Sequence, residues 1–133
     1  MDHTADEVWA TITDPGTIHE WFPGIVASEV DGDTRTIHLG SGIPMVEDIV
    51  TNDPIARRFQ YRINGGFLRS HLGTVDVHDL GDDTCLAVYS TDAEPDVMAL
   101  VIGGATGEAL HELRRQFDAG ERPSPATAAG STH

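Results

Sequence analysis

The sequence contains no lysine: all eight basic residues are Arg, against 22 Asp and Glu, for a formal net charge of −14. A surface of that sign repels a nucleic-acid duplex or an anionic bilayer, so neither is expected as a partner. The pairs Arg57-Arg58 and Arg114-Arg115 read as solvated faces rather than phosphate sites. Cysteine is nearly absent as well. Cys85 stands alone, which excludes a disulfide framework and a cysteine zinc site and does not demand an oxidising compartment. No apolar run approaches the roughly 18 residues that span a bilayer. The N-terminus lacks the basic and apolar regions of a signal peptide, so the expected location is the cytoplasm. The histidines contain no His-x-His pair and make no metal motif. Ser41 lacks the flanks of a hydrolase elbow, and Gly103-Gly104-Ala105-Thr106-Gly107 does not closely follow a strand as a phosphate loop must. No cofactor is expected.

What remains suits one domain with one core in 133 residues. Thr4-Ala5-Asp6-Glu7 reads as a capping box, and Val8, Trp9 and Ile12 give the helix after it one apolar face. Asp14-Pro15-Gly16 stops that helix, and a second short helical turn spans Thr17 to Trp21. Strand patterns follow at Ile25 to Val30, Thr34 to Leu39, Val46 to Thr51, Arg58 to Asn64, Arg69 to Val77 and Thr84 to Thr91, each bounded by turn residues. From Asp96 to Phe117, the residues Met98, Ile102, Ala105, Ala109, Leu113 and Phe117 fall at helical spacing. Gly103, Gly104 and Gly107 interrupt that helix at about 1 kcal/mol each. They leave volume for a ligand or let the backbone approach the sheet. The Pro, Ser, Ala, Thr and Gly tail of 119–133 is expected to be disordered, leaving a domain of 1–118. Short helices, then antiparallel strands, then a long helix make an α+β pattern.

Within the strands, Glu47, Ile49 and Thr51 are expected to share a face, as are Phe59, Tyr61 and Ile63, and His71, Gly73, Val75 and Val77. Glu47 and His71 are the polar residues on otherwise apolar faces. A carboxylate held inside has a raised pKa and can act as acid or base, whereas a strand-end Glu reaching solvent does neither. An inward imidazole can donate a proton or orient a ligand oxygen, or it is hydrogen-bonded and inert. Glu47 and His71 form the one acid/base pair that the sequence offers.

Ala5-Asp6-Glu7-Val8-Trp9-Ala10 with Thr13-Asp14-Pro15, then Phe59-Gln60-Tyr61-Arg62-Ile63 and Leu72-Gly73-Thr74-Val75, resemble the START/Bet v 1-like superfamily in its polyketide cyclase/dehydrase branch. The order of elements is similar from Thr4 to Phe117. The resemblance implies a helix-grip fold, a curved antiparallel sheet around the long C-terminal helix, with a cavity for a small apolar or amphipathic molecule. It implies Glu47, Ile49, Phe59, Tyr61, Ile63, His71, Val75, Ile102, Ala105 and Ala109 as the lining. The alternative is a cyclase/dehydratase-type enzyme in which Glu47 or His71 moves a proton.

Ser41-Gly42-Ile43-Pro44 looks like the gate loop, and Gly65-Gly66-Phe67-Leu68 like the latch loop, of the superfamily's hormone receptors, although the latch lacks their polar cluster. The gate segment is either a lid with a glycine hinge or a plain hairpin connection. The family begins with a strand before the first short helix, and Met1-Asp2 lies where that strand should end. Either the chain starts upstream, or it is shortened, or another chain fills the gap. An absent strand exposes backbone on its neighbours, and a homodimer through that edge is one expected outcome.

Overall fold

The Thr4 side chain accepts from the Glu7 amide while Glu7 reaches back to the Thr4 amide, so the capping box starts α1, Ala5–Ile12. Val8, Trp9 and Ile12 turn inward, and Pro15 opens a 3-10 segment, Pro15–Glu20, that buries Ile18. The computed structural model describes residues 1–65 and 68–121.

Six strands follow: β1 (Ile25–Asp31), β2 (Thr34–Leu39), β3 (Pro44–Asp53), β4 (Arg58–Asn64), β5 (Ser70–Gly81) and β6 (Thr84–Glu94). They form one antiparallel sheet in sequence order, each hydrogen-bonded to the next. The turn between β5 and β6 is set by Asp82 and Asp83, with φ of 52° and 59°. Paired positive φ is the primed-turn geometry that matches the twist of the strands it joins. The expected Glu47, Ile49, Thr51 face breaks at a register shift between Ile49 and Thr51. The extra residue of the bulge flips Thr51, whose hydroxyl donates to Gln60 rather than joining the Phe59, Tyr61, Ile63 row.

The long helix α2, Asp96–Asp118, packs on β6, and α1 packs on β5 and β6. Its core face is Thr106, Ala109, Leu113 and Phe117. Ala105, expected on that face, is exposed, because the helix turns Thr106 inward at that level. A Cβ on Gly103, Gly104 or Gly107 would meet nothing within 4 Å. These glycines therefore do not serve close approach to the sheet; Gly104 and Gly107 lie on the exposed side of the helix and Gly103 is half-buried. Ala119 caps the helix, and Gly120, with φ of 71°, and Glu121 return hydrogen bonds to Phe117 and Gln116. The rest of the expected tail, 122–133, lies outside the described residues.

Among the described residues the sheet ends at β1 and β6, which do not touch each other. Met1 lies beside β6: its ammonium donates to the Cys85 carbonyl at 2.7 Å, and the Cys85 amide donates to the Met1 carbonyl at 3.0 Å. The core lies between the sheet and the helices, with Val8, Cys85, Ala109 and Leu113 fully buried.

Candidate functional site

The strand alternation carries six polar side chains, Arg35, Glu47, Tyr61, His71, Tyr89 and Thr91, onto the core face of the sheet. Arg35 on β2 and Glu47 on β3 are directly opposed, and their side chains are 1% and 3% exposed. The Arg35 Nε–H donates to Glu47 Oε1 at 2.7 Å. The guanidinium carbon sits 5.2 Å from the centre of the Tyr61 ring and 5.7 Å from that of Phe59. Burial pushes the Glu47 carboxyl above its ordinary value, and the Arg35 charge and hydrogen bond pull against it.

Tyr61 is the hub. Its hydroxyl bonds that of Tyr89 on β6, and its ring meets those of Tyr89 and His71 at 6.3 and 5.5 Å. Burial raises both phenols. The ring lies over Gly73, its partner on β5, where a Cβ would fall 2.6 Å from Tyr61 Cζ. Only glycine leaves that space. On β6 the residue opposite Gly73 is Thr91.

His71 holds the mouth of the sheet. The β4–β5 ladder runs from Arg58 paired with Asp76 to Tyr61 paired with Gly73. Beyond it, the Ile63 amide donates to His71 Nδ1 at 3.0 Å, a side chain standing where a backbone carbonyl would otherwise pair. In neutral imidazole the proton is then on Nε2. Burial holds His71 below its ordinary 6.5, against a smaller upward pull from Asp92. An open cleft of about 610 Å3, lined by Ile63, Asn64, Leu68 and Arg69 among others, reaches His71 from outside.

Arg35 Nη2, His71 Nε2 and Thr91 Oγ1 are buried and meet no hydrogen-bond partner among the described residues. Such groups are costly, and in native proteins they ask for an explanation.

A family model described as polyketide cyclase / dehydrase and lipid transport matches residues 1–118. The chain belongs to that family. Its fold is also that of solved structures under 25% identical. XoxI from Bacillus cereus superposes with a TM-score of 0.83 at 21% identity, covering 92% of this chain and 94% of that one. An uncharacterised protein from Bacillus thuringiensis gives 0.79 at 20%, covering 88% and 93%. Norcoclaurine synthase from Thalictrum flavum, solved with dopamine and hydroxybenzaldehyde, gives 0.60 at 18%, covering 87% and 82%. No curated protein sequence matches the chain. The family membership and the Bet v 1-like helix-grip fold agree with the resemblance read from the sequence.

Of the lining expected for a member of this family, Phe59, Tyr61, Val75 and Ala109 are core, with Ile49 and Ile63 half-buried against it. Ile102 is half-buried and Ala105 exposed. Glu47 and His71 both turn inward, but no hydrogen bond joins them: Glu47 is tied to Arg35 and His71 to the Ile63 amide. The gate segment is a tight hairpin, with Gly42 donating to Leu39 and Leu39 to Ile43, and Ile43 58% exposed. Gly66 and Phe67 of the latch lie outside the described residues, where Leu68 donates to Gly65 across them. Sequence reasoning missed Arg35, Tyr89 and Thr91. The signal was available in period two: Arg35 shares a face with Ile37, and Tyr89 and Thr91 share one with Cys85 and Ala87.

Proposed function

We propose that this chain binds a small, mostly apolar or amphipathic molecule, lipids included, between the sheet and the N-terminal half of α2, with one polar end against Tyr61. The observation that carries this reading is the set of buried, partnerless polar atoms on Arg35, His71 and Thr91. Binding pockets are mostly apolar with a few placed polar groups; here Arg35 lies over Phe59 and Tyr61, and His71 is bonded to the Ile63 amide. The C-terminal half of α2 buries Ala109, Leu113 and Phe117 in the core, whereas Met98 and Ile102 in its N-terminal half are only half-buried. The test is an apolar fluorescent reporter, N-phenyl-1-naphthylamine, titrated against the full chain. One-to-one binding that is lost in Ile63→Trp is expected, because the indole fills the entrance. No binding, or binding that survives Ile63→Trp, sinks the reading.

A second reading is proton transfer of the cyclase/dehydratase kind. The free Nε2–H of His71 favours His71 as the donor. Glu47 suits the role less well, since Arg35 holds its oxygen. Norcoclaurine synthase indicates that such a fold can house an enzyme, without carrying its substrates over.

A further inference from the structure

We propose that the polar end of the ligand is a neutral oxygen that only accepts hydrogen bonds, a carbonyl, rather than a carboxylate or an amine. This rests on the binding reading above and names the chemistry of its polar end.

Two of the partnerless atoms, Arg35 Nη2 and His71 Nε2, are donors only, and the third, Thr91 Oγ1, can donate. A guanidinium nitrogen donates and cannot accept. His71 Nδ1 is occupied in accepting from the Ile63 amide, so Nε2 offers a proton. Thr91 adds a hydroxyl that meets nothing. The Tyr61 and Tyr89 hydroxyls bond each other, which uses one hydrogen of the pair and leaves the other to be given away. All of these groups surround one ring. Arg35 and His71 contact Tyr61 directly, Tyr89 bonds it, and Thr91 lies beyond Gly73 in the same row across the sheet. Trp21 Nε1, also without a partner, sits apart beyond Phe22. A molecule that completes this cluster must supply lone pairs.

Charge selects among acceptors. Arg35 and Glu47 already form a buried pair of opposite sign at 2.7 Å. A carboxylate placed beside them would add a buried charge with no counter-ion, which costs several kcal/mol, and it would approach through a chain of net charge −14. An ammonium would bring a second cation beside the Arg35 guanidinium, and neither Arg35 Nη2 nor His71 Nε2–H could accept its protons. A carbonyl accepts from several donors and brings no charge.

The experiment displaces bound N-phenyl-1-naphthylamine with probes of one chain length: undecan-2-one, undecanoate and undecylamine. The ketone should displace the reporter at a concentration at least about tenfold lower than either charged probe, since only the neutral acceptor enters without adding a buried charge. In Thr91→Val the ketone's advantage should shrink several-fold, and the thermal midpoint should not fall, because the deleted hydroxyl has no partner among the described residues. Equal displacement by all probes, or preference for undecanoate or undecylamine, overturns the carbonyl assignment while the reporter signal keeps the pocket. A ketone advantage untouched by Thr91→Val removes Thr91 from the cluster and overturns it as drawn. If the reporter itself fails to bind, the pocket and the assignment fall together.

Discussion

Arg35 and Glu47 meet at 2.7 Å inside the sheet, and Arg115 and Glu112 meet at 2.7 Å on the outside of α2. Distance does not separate the two pairs. The side chains of the first are 1% and 3% exposed, and those of the second 50% and 29%. Inside, each charge has lost its water and depends on the other, and the Arg35 Nη2 that Glu47 does not reach stays partnerless. Outside, water and salt take over whenever the pair opens. A buried pair is weak evidence of stability, so stability alone does not account for its place in the interior. The exposed pair needs no such account.

The largest effect should come from splitting the inner pair. Glu47→Ala or Arg35→Ala alone strands a buried charge, at about 3–5 kcal/mol in urea unfolding. Replacing both, Arg35→Met with Glu47→Leu, should recover most of that loss. If each single change costs less than about 1 kcal/mol, water already reaches the pair and the contrast with the outer pair disappears.

Next in size is the packing that holds Tyr61 beneath Arg35. In Gly73→Ala the new methyl carbon would sit 2.6 Å from Tyr61 Cζ, and the ring must move. Overpacking of this kind costs about 1–3 kcal/mol. Adding Tyr61→Leu should abolish most of the Gly73→Ala penalty, because the clashing ring is gone. Additive losses would show that the strand, and not the ring, resents the methyl group.

Much of this was legible in the sequence because local signals and the fold agree. The capping box at Thr4, the strand spans Thr34–Leu39 and Arg58–Asn64, and the start of the last helix at Asp96 all coincide with the structure. Glu47 and His71 were visible as polar breaks in apolar faces. The remainder depends on register, which local pattern does not contain. The bulge after Ile49 reverses Thr51. The helix phase at Thr106 places Ala105 outside, since a small residue weights a helical period little either way. Period two alone does not single out Arg35: arginine is seldom buried, and only its pairing opposite Glu47 shows why it is buried here.

A smaller effect is expected from His71, where the inner site meets acid. Burial holds its pKa below the ordinary 6.5. Near pH 6.5 the unfolded chain therefore takes up a proton that the folded chain refuses. The stability present above 6.5 should fall as pH drops through that value toward the folded pKa. Protonation would also take Nδ1 from the Ile63 amide and loosen the mouth between β4 and β5. His71→Gln keeps an acceptor for that amide and removes the titration. Urea midpoints followed from pH 7 to 5 should drop more for the parent chain than for His71→Gln. Parallel curves would mean that His71 is hydrated in the folded state.

The smallest effect belongs to the outer pair. The Arg115 hydrogen bond, then that of Gln116, holds the Glu112 carboxyl at about 2, below its ordinary 4.5. Taken alone, a depressed carboxylate gives stability that is present above 4.5 and lost as pH falls toward 2. Here both partners stand in solvent, so the same carboxylate is well hydrated when the pair opens, and ordering two long side chains offsets the attraction. Arg115→Ala also places the best helix former in the last turns of α2. The urea midpoint of Arg115→Ala at pH 7 and physiological salt should match that of the parent chain within error, and adding salt should not separate them. A loss comparable to that of Gly73→Ala would mean that the network joining Arg115 to Glu112 and Glu121 anchors the end of α2. Exposure would then be the wrong quantity by which to set the two pairs apart.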